Sequence, residues 1–372
     1  MRRELAEKLL TQIMEWEINE KAAERAALEA FATYKYDEYQ QFAPGSRFLE
    51  SLALWLRQFK TNEQRQIAYR FVRKRLVFIS DAELNHLVDL AFPSFIRPHL
   101  IDVTASQKNV KSHRVKHIIE SVEYRTNLRK TLVLGLSDGA RTDQFRRANP
   151  LLISNEQIWH AYDISKAKVI DLREKLERDI AQLNNGHNDS VEATFTTVTL
   201  LDDFTASGTS YLRKNEEGKW KGKIHKILEM LDDNQSLGSL VAKSGVSVIV
   251  VLYVAAPQAI EHIKPLLEEH TFPRGTIEFQ VVHTLGNDTK LCPERDADIF
   301  SLINNDDYWD KEADDEHARV GGKSFRHGYA DCLLPLVLGH NTPNNSIFLL
   351  WAEDIHTVRG LFPRVSRHRK FE

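Results

Sequence analysis

Residues 198–210 read VTLLDDFTASGTS, which is the most informative stretch of the sequence. An apolar, β-branched run ends in the acidic pair Asp202 and Asp203, and a loop of small residues follows it. The segment SYLRK, which begins at Ser210, reads as the start of a helix. A buried strand, a small-residue loop and a helix start together form the arrangement in which backbone N–H groups bind phosphate. The stretch therefore predicts an anion-binding turn at the carboxyl end of a buried strand.

The side chains of this turn suit a phosphorylated sugar. The predicted phosphate loop consists of Thr205, Ala206, Ser207, Gly208, Thr209 and Ser210. Small residues let amides approach an anion closely, and hydroxyls add donors. Asp202 and Asp203 would repel a phosphate, but they suit ribose hydroxyls and Mg²⁺, directly or through water. We predict a site for a sugar 5-phosphate and its 2- and 3-hydroxyls; the alternative is an ordinary strand-to-helix turn with an Asp pair on its rim.

The chain around this turn alternates between strand and helix patterns. Predicted strands cover 131–136, 194–201, 246–255, 276–282 and 346–351, and predicted helices cover 166–183, 221–232 and 257–269. Apolar strands that alternate with helices indicate a parallel sheet covered on both faces. The predicted fold class is therefore α/β with a doubly wound parallel sheet. In such sheets ligands bind at the carboxyl ends of the strands.

The first third of the chain reads instead as helical. Its opening 36 residues are rich in Ala, Leu, Glu, Lys and Arg, with apolar residues at helical spacing. Further helices are expected at 48–59 and 62–75, and Pro93 and Pro98 are expected to break the pattern. We predict an α-helical N-terminal domain at 1–125, the α/β domain at 126–358 and a basic C-terminal tail at 359–372.

Composition narrows the class of protein. The 372 residues are 42% hydrophobic and carry a net charge of −3, which excludes a globally basic nucleic-acid coat and a globally acidic disordered tail. Cys292 and Cys332 are too few for a disulfide scaffold or a four-cysteine zinc site. The longest apolar run, 246–256, is too short to span a membrane as a helix. We expect a cytoplasmic protein with no membrane partner.

The 198–210 stretch resembles the phosphoribosyl pyrophosphate signature of the type I phosphoribosyltransferases. That signature consists of four apolar residues, two acidic residues and a short Thr/Ser/Gly loop. Phe204 and Thr205 replace its usual aliphatic pair, which is a mild departure. The resemblance implies a phosphoribosyltransferase-like fold, phosphoribosyl pyrophosphate or a nucleotide-like ligand, and Mg²⁺. It places Asp202 and Asp203 on the acidic pair that carries catalysis and helps to position the metal.

The same resemblance assigns a role to the loop after the preceding strand. In this family a pyrophosphate-binding loop occupies that position, which here reads Ser137, Asp138, Gly139, Ala140 and Arg141. Its backbone N–H groups would hold pyrophosphate, and Arg141 would add a charged donor. A structural turn is the alternative.

A third segment, residues 339–351, reads GHNTPNNSIFLLW. The amides of Asn341 and Asn344 suit a nucleobase edge and Trp351 offers a stacking face, while the alternative is a structured turn. Together with the two loops, this segment resembles the phosphoribosyltransferase-like proteins of bacterial conflict systems, some of which accompany retrons as effectors. The resemblance implies an anti-phage role, with a nucleic acid or a reverse transcriptase and its noncoding RNA as partner.

One departure leaves catalysis open. Catalytic type I enzymes carry a flexible loop between the two motif strands, whereas residues 148–193 read mainly as helix. We retain three hypotheses: a transferase, a non-catalytic nucleotide-sensing module, and an interaction protein with a vestigial pocket. For the second, the basic segment 108–130 and the tail 364–370 would contact a nucleic acid, although a basic segment is also typical of a solvated helix face.

Overall fold

The computed structural model describes residues 3–160, 166–183, 192–234, 236–314, 320–322, 324–353 and 356–364. Contacts divide the chain into two units, Met1–Glu83 with Gly286–Glu372, and Leu84–Leu285. This division differs from the predicted domains, because residues 84–125 join the unit that contains the sheet and the C-terminal segment joins the N-terminal helices. The predicted boundaries near 125 and 358 stay predictions about domains, and the two units are described separately below.

The helices and strands are numbered in chain order. The helices are α1 (Arg3–Met14), α2 (Ile18–Tyr34), α3 (Phe48–Arg57), α4 (Asn62–Lys74), α5 (Asp81–Ala91), α6 (Arg97–Gln107), α7 (Val115–Ile119), α8 (Val122–Arg129), α9 (Thr142–Ala148), α10 (Lys166–Leu183), α11 (Lys223–Asp232), α12 (Pro257–Glu269), α13 (Ala297–Ile303) and α14 (Phe348–Trp351). The strands are β1 (Val77–Ile79), β2 (Thr131–Gly135), β3 (Ile158–His160), β4 (Thr197–Thr205), β5 (Arg213–Lys214), β6 (Trp220–Lys221), β7 (Val246–Ala255), β8 (Gly275–Thr284) and β9 (Leu336–Leu338).

The second unit is built on a five-stranded sheet in the order β3-β2-β4-β7-β8, in which every pair is parallel. Strand β7 is almost completely buried because its VSVIVVLYVA sequence is apolar on both faces. Leucine and valine side chains of β2, β4 and β7 pack with apolar residues of α10 and α11. The chain therefore has the predicted α/β class: a parallel sheet flanked by helices, with a helical region at the N-terminus.

The first unit has an aromatic core that joins both ends of the chain. Phe362 is fully buried, and its ring lies 5.2–5.8 Å from five other aromatic rings, among them those of Tyr39 and Phe48. The Tyr39 hydroxyl donates to the carbonyl oxygens of Phe362 and Pro363. Leu361 and Phe362, near the start of the predicted tail 359–372, belong to this core, and the tail as a domain boundary stays a prediction. Residues 365–372 lie outside the described residues.

Several local expectations differ from the structure. Residues 348–351 form α14 rather than part of a strand, because a short apolar run is compatible with either when it is buried. Pro93 and Pro98 do not break the helix, because a π-helical turn at Phe92–Ile96 connects α5 to α6 and each proline lies in a first turn. The gap 148–193 contains strand β3 in addition to helix α10. Helices α10, α11 and α12 confirm the three that were predicted.

Candidate functional site

The two motif loops lie side by side because β2 and β4 are neighbours in the sheet. Residues 137–141 follow β2 and residues 206–210 follow β4, so both loops extend from the carboxyl edge. The Leu136 amide donates to the Leu201 carbonyl over 2.9 Å and continues the pairing up to the loops. A Cβ placed on Gly139 would lie 2.5 Å from Cγ of Asp203. The absence of a side chain at Gly139 is therefore what lets the two loops approach each other.

Asp202 is the centre of a buried hydrogen-bond network. Its side chain has no exposed surface, and its Oδ2 accepts from the Tyr211 hydroxyl and from Lys223 Nζ, each over 2.6 Å. Its Oδ1 accepts from the Ser137 hydroxyl and, over 3.2 Å, from the Asp203 amide. With four donors and no exposed surface, the Asp202 carboxylate connects the two loops. Its predicted role toward a ribose hydroxyl or a metal stays a prediction.

The electrostatics of Asp202 follow from this position. Burial raises the pKa of its carboxyl, the neighbouring Asp203 raises it further, and the Lys223 ammonium opposes both. Burial also raises the pKa of Tyr253 well above its ordinary value, so that this phenol stays protonated and donates. Its hydroxyl donates to the Ala140 carbonyl over 2.6 Å. Strand β7 therefore holds the loop after β2 in place through this hydrogen bond.

Asp203 points in the other direction. Successive residues of a strand face opposite sides of the sheet, so Asp203 does not share the buried surroundings of Asp202. The Asp203 side chain is half-buried, its Oδ1 accepts the Phe204 amide over 2.8 Å, and its carboxyl lies over Gly139. Of the predicted acidic pair, Asp203 is the residue placed to meet a ligand.

The predicted phosphate loop is a tight turn that packs against α12. Gly208 has φ +78°, and a Cβ there would lie 2.9 Å from Ile263 Cγ1 and 3.0 Å from the Ala259 carbonyl oxygen. Its amide donates to the Thr205 hydroxyl over 3.2 Å. The side chains of Thr205, Ala206 and Ser207 are buried, whereas Ser210 is exposed. The sequence requires glycine at 208 for its backbone conformation and for its contact with α12.

The loop amides differ in what they can offer an anion. The Gly208 and Thr209 amides donate to hydroxyls of the loop itself, at Thr205 and Ser207. Within the described part of the chain, the amides of Ala206, Ser207 and Ser210 have no hydrogen-bond acceptor. Unsatisfied amides in a glycine-containing turn are the donors that an anion needs.

The loop after β2 is a short 3₁₀ turn at Asp138–Ala140. Ser137 caps it by accepting the Gly139 amide, Asp138 is exposed, and Arg141 adopts a left-handed conformation with φ +47°. Arg141 Nη1 donates to Asn85 Oδ1 over 2.9 Å, which fixes the direction of the guanidinium. Four of the five predicted residues therefore form one turn beside Asp203, and Ser137 contributes its hydroxyl to Asp202.

The chain that follows the phosphate loop differs from the expected helix. Residues 213–221 form a β5–β6 hairpin, and α11 begins only at Lys223. Sequence reasoning missed Lys223, Tyr211 and Tyr253 as site residues. The adjacent Gly222, with φ +118°, is the one local signal for Lys223, because a Cβ there would lie 2.6 Å from the Tyr211 carbonyl carbon. Tyr253 gave no signal, since it lies in an apolar strand.

The residues present fit Mg²⁺ only in part. Asp202 is committed to four donors, whereas Asp203 is a half-buried carboxylate at the loops. Among the described residues, no group of three His, Cys, Asp or Glu side chains converges on a metal position. Mg²⁺ is commonly held by one or two carboxylates with substrate phosphates and water. Of the two carboxylates, Asp203 is therefore the one that would contact an ion arriving with its ligand.

The predicted base-binding residues lie in the first unit. Trp351 is buried, its Nε1 donates to the Ser346 carbonyl and its ring packs on Phe325 and Phe348. Such a ring is not available to stack on a base, so Trp351 is a packing residue. The backbone N–H of Asn341 donates to the Leu338 carbonyl, and the backbone carbonyl of Asn344 accepts the backbone N–H of Tyr329. A base-binding role for the two asparagines stays a prediction.

The basic segment 108–130 is only partly exposed. Lys108 pairs with Glu123 over 2.8 Å, Arg129 pairs with Asp179 over 2.8 Å, and Lys130 is buried. Lys111, Arg114, Lys116 and Arg125 are exposed. A nucleic-acid contact here would therefore depend on four cations rather than seven.

Comparison with known proteins identifies the family. The comparison with curated proteins and the comparison with solved structures gave no match. In the described part of the chain, every helix is too short or too polar to cross a bilayer. A family model described as PRTase-CE matches residues 52–364, which include both motif loops and the whole sheet. Because that match covers most of the chain, the protein belongs to the PRTase-CE family, which is phosphoribosyltransferase-like.

Proposed function

We propose that this protein binds phosphoribosyl pyrophosphate, or a nucleotide-like ligand of the same chemistry, together with Mg²⁺ at the carboxyl edge of the sheet. The observation that carries the proposal is the close approach of the two loops, in which Asp203 lies against Gly139. In the loop that follows Asp203, the described residues provide no acceptor for the Ala206, Ser207 and Ser210 amides. A carboxylate suits the ribose hydroxyls and free amides suit the 5-phosphate. Membership of a phosphoribosyltransferase-like family supports testing this class of ligand first.

The proposed reaction is transfer at the anomeric carbon. The bond between that carbon and the pyrophosphate oxygen breaks, pyrophosphate leaves with the electron pair, and an acceptor forms the new bond. Such a step needs positioning and charge stabilisation more than a general base. Asp203 would orient the ribose, residues 206–210 would hold the 5-phosphate, and the 138–141 turn would hold the leaving pyrophosphate. When bound, Mg²⁺ would neutralise charge on the pyrophosphate.

The biological setting that we propose is an effector of bacterial anti-phage defence of the retron type. It rests on the resemblance to conflict-system proteins, and the partner would be a nucleic acid or a reverse transcriptase with its noncoding RNA. We include in the same proposal that the protein acts in the cytoplasm and that it depletes or modifies a nucleotide.

A non-catalytic sensing module is the second candidate function. One observation favours it: between the motif strands, the described residues include β3 and the 18-residue helix α10, in the region where a transferase would have a closing loop. Closure excludes water and completes a site. A module without closure would bind the ligand and leave it intact.

Calorimetry with phosphoribosyl pyrophosphate and Mg²⁺ tests the binding, and pyrophosphate release in the presence of nucleobases or nucleic-acid ends tests the reaction. Asp203→Asn should weaken binding at least about 10-fold, since an interaction with a charged partner contributes about 1.5–3 kcal/mol. Asp143→Asn is the matched control, because Asp143 is exposed and, among the described residues, its ion pair is with Arg147 on α9. Binding without pyrophosphate release over hours would select the sensing module, and no binding by the unaltered protein would refute the proposal.

A further inference from the structure

The segment after the phosphate loop does not supply the positive helix end that such loops ordinarily use. Helix α11 starts 13 residues after Ser210, beyond the β5–β6 hairpin. Its first two amides, at Lys223 and Ile224, donate over 3.0 Å to the carbonyl oxygens of Ser210 and Tyr211. These donors are thus consumed within the protein. The start of α11 therefore offers these two amides to the protein and not to a ligand, and the side chain of Lys223 is the part of this helix start that remains to be explained.

Lys223 brings a full positive charge to that place. Its Nζ lies 2.6 Å from Asp202 Oδ2 and 5.0 Å from the centre of the Tyr211 ring. The Lys223 side chain is 29% exposed while that of Asp202 is 0% exposed, so the ammonium covers the carboxylate from the solvent side. Gly222 makes this approach possible, because any side chain at that position would collide with the Tyr211 carbonyl.

Two adjacent carboxylates would oppose an anionic ligand if both charges were uncompensated. A carboxylate that is fully buried needs a counter-charge and hydrogen bonds. The Ser137 and Tyr211 hydroxyls supply hydrogen bonds to Asp202, but among the described residues Lys223 is the only cation paired with it.

We propose that Lys223 is a positioning residue: its ammonium neutralises Asp202, so that Asp203 alone presents a negative charge to the ribose and its metal. This inference rests on the proposed function and deepens it. The same ion pair keeps Asp202 able to hold Ser137 and Tyr211, one residue from each motif loop region. The alternative is that Lys223 contacts a phosphate of the ligand directly.

A double-mutant cycle separates these two roles. The variants are Lys223→Met, Asp202→Asn, the double variant, and Lys223→Arg, each measured by calorimetry with phosphoribosyl pyrophosphate and Mg²⁺. Lys226→Met is the matched control, since Lys226 is exposed one turn along the same helix. We expect Lys223→Met to weaken binding at least about 10-fold, Lys223→Arg to restore most of it, and the control to match the unaltered protein.

The double variant decides the mechanism. If Lys223 acts by neutralising Asp202, removing both charges should return the affinity to within about threefold of the unaltered protein. A double variant as weak as Lys223→Met would show that the ammonium grips the ligand itself and would overturn the proposal. Lys223→Met with an affinity equal to that of the control would also overturn it.

A ligand-free measurement keeps this test separate from the proposed function. The urea midpoint should fall in Lys223→Met and recover in the double variant, because the first leaves a buried carboxylate without a counter-charge. If the unaltered protein bound no phosphoribosyl pyrophosphate, the proposed function would fail. The unfolding cycle would still decide the pairing: recovery would support neutralisation of Asp202 by Lys223, and no recovery would overturn it.

Discussion

Replacing Gly139 with alanine is the sharpest perturbation of the candidate site. The new Cβ would lie 2.5 Å from Asp203 Cγ, whereas carbon atoms in contact ordinarily lie about 3.5–4.0 Å apart. The Asp203 carboxyl must therefore move by at least about 1 Å. Because a misplacement of about 1 Å can reduce turnover about 100-fold, we expect Gly139→Ala to weaken ligand binding or turnover by about that factor, or about 2.7 kcal/mol.

The same substitution should leave the fold intact. Gly139 is not among the glycines with positive φ, so alanine is compatible with the 3₁₀ turn at Asp138–Ala140. Alanine restricts the unfolded chain and stabilises by about 0.4–1 kcal/mol, while displacement of a half-buried carboxyl costs about 1–3 kcal/mol. The free energy of unfolding should thus fall by no more than about 2.6 kcal/mol.

Calorimetry with phosphoribosyl pyrophosphate and Mg²⁺, beside urea unfolding, measures both quantities. Gly322→Ala is the control, because the nearest heavy atom to a Cβ there is Ala330 Cα at 3.9 Å. An affinity of Gly139→Ala within twofold of the unaltered protein would refute the reasoning that the close approach of the loops positions Asp203. By contrast, Gly208→Trp is a poor probe, since Gly208 packs against α12 and its loss would disturb the fold itself.

Three further predictions concern stability and reactivity. Phe362→Ala should lower the free energy of unfolding by about 3–5 kcal/mol in urea titrations, because the ring is fully buried among aromatic rings. Burial raises the pKa of Cys332 to about 11, so a thiol reagent at pH 8 should modify Cys292 in the native protein and Cys332 only after unfolding. Burial lowers the pKa of His99, so as the pH falls through about 6.5 this histidine is protonated in the unfolded chain before it is protonated in the folded protein. The free energy of unfolding should therefore decrease from pH 7 to pH 5.5. His99→Gln should make that decrease smaller in urea titrations at pH 7 and pH 5.5.

The sequence predicted the parts of the site that are local in the chain. A strand, an acidic pair and a small-residue loop in direct succession determine the turn at 202–210, and the order of the strands places the 137–141 turn beside it. Alternation along β4 assigns Asp202 and Asp203 to opposite sides, but a strand buried on both faces carries no sign of which side holds the ligand. Their different burial, which the sequence does not show, distinguishes the two carboxylates.

The parts that the sequence missed depend on distant residues. Lys223 reaches Asp202 across 21 positions, through a hairpin whose two short strands lack the length of a recognisable pattern. Tyr253 lies inside an apolar run. From the sequence alone, a tyrosine there cannot be recognised as a donor to the Ala140 carbonyl, because it fits equally well as a packing residue. The place of Phe362 in the core was missed for a similar reason, because the Arg-rich sequence around it gives no indication of its distant partners Tyr36 and Phe48.

The network around Asp202 also bears on the choice between transferase and sensor. Tyr211, Lys223 and Ser137 hold Asp202 from three segments, and Tyr253 holds the Ala140 carbonyl. Donors already fixed in place need no reorganisation when a ligand arrives, which is what charge stabilisation in catalysis requires. A sensor instead needs two states with different affinities for the ligand, since equal affinity shifts no equilibrium. We therefore expect phosphoribosyl pyrophosphate with Mg²⁺ to slow amide hydrogen exchange at residues 137–141 and 205–210 and to leave the helices of the first unit unchanged. Altered exchange in α1–α4 on ligand addition would contradict a preformed transferase site and favour the sensing module.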